Sequence, residues 1–227
     1  MFDTFRQEFP VESRVAGNGA FDTKIPGLNE LLASFGGASF KHGLYRIIRA
    51  QDVARWNARV SLGFPEFTDR ITCFGYDWQG TAFAVDAGRL EQGEPGVVMF
   101  EPDTGEALQI PCNVRTFHDI ELIEDEDAAL ASDGYAMWRE AGGAEPAYTQ
   151  CIGSKKPLFL GGEDTIENLE LSDLDVYWHI MGQIIAKVRG LPPGTPVNIR
   201  KAPETELAAP AAPKSSMLGK LWKSITK

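Results

Sequence analysis

Histidine and cysteine are scarce in this chain of 227 residues, with three of each. His42, His118 and His179 are too scattered for a metal-ligand set, and Cys73, Cys112 and Cys151 lie too far apart for a CxxC pair. An odd number of separated thiols suits a reducing compartment better than a disulfide framework, so all three are expected to be buried or incidental. No apolar run approaches the roughly 20 residues that span a bilayer. The opening residues MFDTFRQEFPVESR lack the basic and apolar runs of a secretion signal, and the expected location is cytoplasmic.

Local signatures of catalysis are missing as well. There is no GxSxG elbow, no HExxH and no DxDxDG loop, and the one SxxK match, Ser224 to Lys227, lies at the end of the chain where no pocket shields it. FGGASFKHG lacks the GK[ST] of a phosphate cradle and follows a helix instead of opening one, so its glycines read as punctuation. GGEDT, Gly161 to Thr165, sets two acids side by side, but glycines followed by Asp and Thr are turn chemistry. HDIE, with His118, Asp119 and Glu121, reads as a solvated helix face. The chain is therefore expected to be non-enzymatic, with no catalytic, cofactor or metal residue.

Negative charge is abundant and unevenly placed. The formal net charge is −10, yet residues from Lys201 onward hold five lysines and two glutamates, which leaves 17 basic against 30 acidic residues in positions 1–200. Phosphate-backbone binding is driven by Lys and Arg, so an acidic body argues against nucleic acid as a direct ligand. It suits a basic protein partner, or simply keeps the domain soluble.

Periodicity gives the organisation. TKIPGLNELLASFGG, with Leu28, Leu31, Leu32 and Phe35 at helical spacing, predicts a short amphipathic helix, GLYRIIRA a strand, and AQDVARWNARVSLGF a second helix with Val53, Trp56 and Val60 on one face. RITCFGY, TAFAVD, GVVMFEP and EALQIP, divided by DWQG, AGRLEQGEP and DTG, describe an antiparallel meander. VRTFHDIELIEDEDAALA predicts an acidic helix with Phe117, Ile120 and Ile123 as its apolar stripe, and YAMWREAGG a short helix closed by glycine. KKPLFLGGEDTIENLELSD predicts a strand, a turn and another strand. SDLDVYWHIMGQIIAKVRG is the clearest helix, with Ser172 as its cap and Leu174, Tyr177, Met181, Ile184 and Val188 recurring at three and four. The fold class expected is α+β, a mainly antiparallel sheet covered by helices.

The densest stretch is CFGYDWQGTAFAVD, Cys73 to Asp86. Its aromatics suit a core face of a hairpin, and Asp77 and Gly80 suit the turn. Trp78 at the tip is either folded back onto the sheet or offered to a partner. Farther on, KAPETELAAPAAPKSS (201–216) reads as a Pro/Ala-rich linker, and MLGKLWKSITK (217–227) as a basic amphipathic helix with Leu218, Leu221, Trp222 and Ile225 on one face. Such a tail can reach a membrane or a protein groove, which makes a non-enzymatic scaffold or adaptor the alternative reading of the chain.

Several phrases together carry a resemblance: IPGLNELLASFGGASFKHGLYRI, FGYDWQGTAFAVD, VVMFEPDTGEALQIP, PLFLGGEDTIENLELSDLDVYW and VRGLPPGT. In this combination and order the chain resembles bacterial type VI secretion immunity proteins, which have a GAD-like N-terminal region and a shared C-terminal immunity domain. The helix followed by FGGASF and a strand is more loosely similar to the SUKH immunity superfamily. The resemblance spans about Lys24 to Thr195 and implies a single immunity-type domain over residues 1–200. It implies a non-catalytic protein that binds and silences a cognate toxin, typically a DNase with a basic surface. The contact surface expected from charge is Glu121, Glu124, Asp125, Glu126 and Asp127 together with Trp78.

Overall fold

The β-rich runs separated by Asp/Gly turns resolve into one sheet. In the computed structural model, which describes residues 1–17 and 19–191, helix α1 (Asp3–Glu8) precedes β1 (Ser13–Arg14), α2 (Leu28–Phe35), β2 (Ala38–Phe40) and β3 (Tyr45–Ile47). Helix α3 (Val53–Gly63) leads into β4 (Ile71–Asp77), β5 (Ala82–Glu91), β6 (Glu94–Glu101) and β7 (Glu106–Asn113). These seven strands pair in chain order, antiparallel throughout. A broken helical run follows: α4 (Val114–Thr116), a π-helical turn (Phe117–Glu121), α5 (Leu122–Glu124), α6 (Glu126–Leu130) and α7 (Ser132–Glu140). Strands β8 (Gln150–Ser154) and β9 (Leu169–Asp173) form a separate antiparallel pair before α8 (Leu174–Val188). The fold is α+β, as expected. Residues Met1–Pro193 make one compact unit. The linker (201–216) and tail helix (217–227), with Leu218, Leu221, Trp222 and Ile225, lie outside the described residues.

Helices cover both faces of the meander. In β3 and β4, Tyr45 pairs with Asp77 and Arg46 with Tyr76, so neighbouring residues face opposite layers. On one side Tyr45 meets Phe83 at 5.8 Å and Phe117 at 6.4 Å. On the other, Tyr76 stacks on Trp56 of α3 at 4.9 Å, and Trp56 meets Trp178 of α8 edge-on. This double burial makes the sequence of β4, and of β5 as far as Val85, largely apolar instead of alternating. At Gly75 a Cβ would lie 2.6 Å from the Tyr45 hydroxyl, and the β4–β5 register shifts between Cys73 and Gly75. Glycine is required there so that the tyrosine ring can cross the strand.

The structure redraws four expectations. AGRLEQGEP is strand rather than loop: β5 and β6 run on to Glu91 opposite Glu94, around Gln92 and Gly93 with φ of 52° and 83°. Two adjacent left-handed residues make the kind of tight turn that matches strand twist. KKPLFL is a 3₁₀ turn (Leu158–Leu160), and the strand instead is QCIGS, β8, whose small residues hid it. The cap of α8 is Asp173, not Ser172; its carboxylate accepts from the Val176 N–H at 3.0 Å. The acidic helix breaks at Asp125, whose φ of −131° and ψ of 45° leave the helical region, and before it the π-helical turn inserts a residue and rotates the buried face onto Phe117, His118 and Leu122, leaving Ile120 47% exposed.

Candidate functional site

The hairpin CFGYDWQGTAFAVD holds a buried acid at its turn. The Asp77 carboxylate accepts from the backbone N–H of Gln79 at 2.9 Å and of Thr81 at 2.8 Å, while Gly80 takes φ of 85°. Full burial pushes the Asp77 carboxyl up to about 7, against the pull of those hydrogen bonds, and the nearby charge of Glu101 adds to the rise.

Trp78 is not offered to a partner, and that expectation is corrected. It is 1% exposed, its indole N–H donates to the Leu130 carbonyl at 2.9 Å, and its ring lies 5.1 Å from that of Tyr135. Its own backbone pairs on both sides, donating to Leu44 O at 2.9 Å and accepting from Ile152 N at 2.8 Å. The α6–α7 junction and β8 therefore close over the turn. A hairpin tip looks solvent-facing in sequence because such long-range covers leave no local signal.

Beside Trp78 these elements enclose a groove of about 460 Å³. Its walls come from four separate segments: the β4–β5 turn, the β6–β7 turn, the α6–α7 junction and the loop between β8 and β9. Five carboxylates line it, Glu101, Asp103, Asp127, Asp133 and Asp164, with no lysine, arginine or histidine. Met137 and Leu158 add apolar surface to it, while Trp78 lies beneath, buried. Asp103 accepts from the Leu158 N–H at 3.2 Å; burial raises its carboxyl above the usual range, and the charge of Asp164 raises it further. Asp103 in PDTG and Asp164 in GGEDT each read as turn residues, so nothing local showed that the two turns meet.

The acidic run divides. Glu124 and Asp125 are exposed and Glu121 is half-buried; burial, then the charges of Asp125 and Glu124, raise the Glu121 carboxyl. Glu126 is ion-paired with Lys41, whose ammonium sits 4.1 Å over the Phe9 ring. Asp127 turns toward the groove and accepts from Asp133 N at 2.8 Å. The structure thus brings Trp78 and Asp127 to one place and sets Glu121, Glu124 and Asp125 apart as a separate crowded acidic face.

HDIE is not a solvated face. His118 is fully buried among Phe2, Phe5, Phe74 and Phe117, and burial lowers its pKa to about 4. Cys73, Cys112 and Cys151 are all free and buried, and burial raises the Cys112 thiol to about 12. Among the described residues no group of His, Cys, Asp and Glu could hold a metal ion, and no helix is long and apolar enough to cross a membrane.

With this geometry in view, comparison with known proteins shows a likeness over part of the chain. Residues 117–185, from the π-helical turn through most of α8, match the family model described as T6SS immunity protein Tdi1, C-terminal. That match supports a likeness of this segment to the type VI secretion immunity proteins. A solved structure, the crystal structure of Atu4351 from Agrobacterium tumefaciens, is similar in fold with a TM-score of 0.55 at 14% identity, over 81% of this chain and 89% of that one. A comparison with curated proteins gives no match.

Proposed function

We propose that this chain is the immunity partner of a cognate type VI secretion toxin, a non-catalytic protein that binds the toxin in the cytoplasm of the producing cell and neutralises it. The match of residues 117–185 to an immunity domain carries the reading. The net charge of −10 supports it and favours a toxin with a basic surface, of the kind a DNase uses to grip phosphates. A rim of carboxylates accelerates encounter with such a surface and sets its orientation. The exposed Glu124 and Asp125, with half-buried Glu121 beside them, supply that rim.

The test has two parts. Cells producing the co-encoded toxin are scored for growth with and without this chain, and the purified pair is tested for a stoichiometric complex. Protection together with a complex supports the reading. A toxin that kills equally in both cells, or a chain that protects without binding it, rejects the reading.

A further inference from the structure

We propose that the buried guanidinium of Arg46 is the floor of a binding site for a small carboxylate, a site that stands independently of the immunity reading. Arg46 is the only lysine or arginine buried among the described residues, at 0% exposure. Its Nη2 donates to the Pro146 carbonyl, while Nε and Nη1 have no partner among those residues. Arg89 and Arg115 also carry an unpartnered Nε, but each has a carboxylate on its guanidinium, Glu91 and Glu94. Arg46 has none. The buried acids are engaged elsewhere, Asp52 with Arg49 and Arg55, Asp86 with Arg70, and Asp77 with the backbone of its turn. A buried charge without a counterion is costly, and a carboxylate on the free N–H groups removes that cost.

The fold sets this side chain against a cavity. Arg46 of β3 stands between Ser39 of β2 and Tyr76 of β4, its cross-strand neighbours on one face of the sheet. Its Cζ lies 5.5 Å from the centroid of the Tyr76 ring, which steadies the cation and leaves its N–H groups unpaired. A Cβ on Gly43 would collide with Nη2, so glycine, here with φ of 84°, is what lets the guanidinium come so close to the backbone after β2. Gly43, Pro146 and Ser39 all line a cavity of about 380 Å³, a size that suits a small molecule. The cation therefore lies at the wall of that cavity.

The surroundings set the class of ligand. A guanidinium takes a planar carboxylate through two parallel N–H···O bonds. The cavity rim carries Glu12 and Glu145, whose carboxylates lie 3.9 and 3.4 Å from His42 Nδ1, and Glu145 is also paired with Arg139 at 3.1 Å. A dianion such as sulfate meets twice the repulsion from these two acids that a monoanion meets. The ligand is therefore a monocarboxylate, its head on Arg46 and its uncharged tail beside Ala147 and Tyr148.

The unpartnered Nε–H is itself the probe. The ¹⁵N-labelled full chain is titrated with sodium propionate, with propionamide, and with sodium sulfate at matched ionic strength, following the arginine Nε–H resonance that is missing from the spectrum of Arg46→Met. A saturable shift with propionate, absent with propionamide and weaker with sulfate, is expected. No shift with propionate, or the same shift with propionamide, overturns the site, and an equal shift with sulfate overturns the carboxylate class. The melting temperature of the full chain is also expected to rise by about 2 °C or more in propionate over sodium chloride, and the rise is expected to vanish in Arg46→Met, whose long apolar side chain keeps the packing on Tyr76. A rise that persists in that variant belongs to the solvent and overturns the site. If Arg46→Met does not fold, Arg46→Lys removes the same resonance and supplies the assignment.

Discussion

The Tyr45 hydroxyl lies 3.0 Å from His118 Nε2, while His118 Nδ1 lies 2.6 Å from the carbonyl oxygen of Val114. A carbonyl only accepts, so Nδ1 carries the proton, Nε2 accepts from Tyr45, and the ring is neutral. Burial lowers its pKa from 6.5 to about 4. The unfolded chain therefore binds a proton below pH 6.5 that the folded chain refuses, and stability drains away as pH falls from about 6.5 to 4. In the His118→Gln variant the loss of melting temperature across that window is expected to be shallower, from a starting point about 1–3 kcal/mol lower at pH 7. Identical pH slopes in the two proteins would contradict the assignment.

Asp77 works in the opposite direction. Its carboxyl is raised from 3.8 to about 7, so the folded chain holds a proton that the unfolded chain releases. Its contribution is fully present below pH 3.8 and is lost as pH rises to about 7. Asp77→Asn keeps an acceptor for Gln79 and Thr81 and removes the charge. It is expected to raise stability at pH 8 by about 1 kcal/mol or more, since each pKa unit is worth about 1.4 kcal/mol, and to change little near pH 4. Denaturant melts at the two pH values decide it.

The exposed acids are expected to act on association rate. Charge reversal at Glu124 and Asp125, by Glu124→Lys/Asp125→Lys, should slow toxin binding about tenfold at low salt, and the difference should close at high salt. Stopped-flow association at two ionic strengths measures this. Rates that match the unaltered chain in both salts would remove the steering role from this face.

Removal of residues 217–227 separates the immunity reading from that of an adaptor. The truncated chain is expected to protect cells and to bind toxin as the full chain does. Loss of protection, with the melting temperature unchanged, would transfer the function to the tail.

Elements whose partners are close in sequence were legible. Leu28, Leu31, Leu32 and Phe35 on α2, Trp56 and Val60 on α3, and the hairpins around DWQG and DTG stand as their periodicity predicts. What escaped depends on contacts distant along the chain. Phe2, Phe5 and Phe9 carry no helical signal of their own, yet Phe5 stacks on Phe9, and Phe2 and Phe5 both pack against His118 and Phe35. The burial of Trp78 is set by Leu130 and Tyr135, more than fifty residues away, and the groove exists only because the turns PDTG and GGEDT converge. Acids were visible one at a time; their grouping was not.

The chain order of the strands also bears on how the molecule is made. Each strand of the large sheet pairs only with its neighbours in sequence, so the hairpins can zip one after another as the polypeptide leaves the ribosome. The N-terminal helix breaks that rule: its Phe5 N–H donates to the Asp119 carboxylate across a separation of 114 residues. The first segment synthesised must therefore wait, its phenylalanines without their final cover, until the π-helical turn has emerged to receive them.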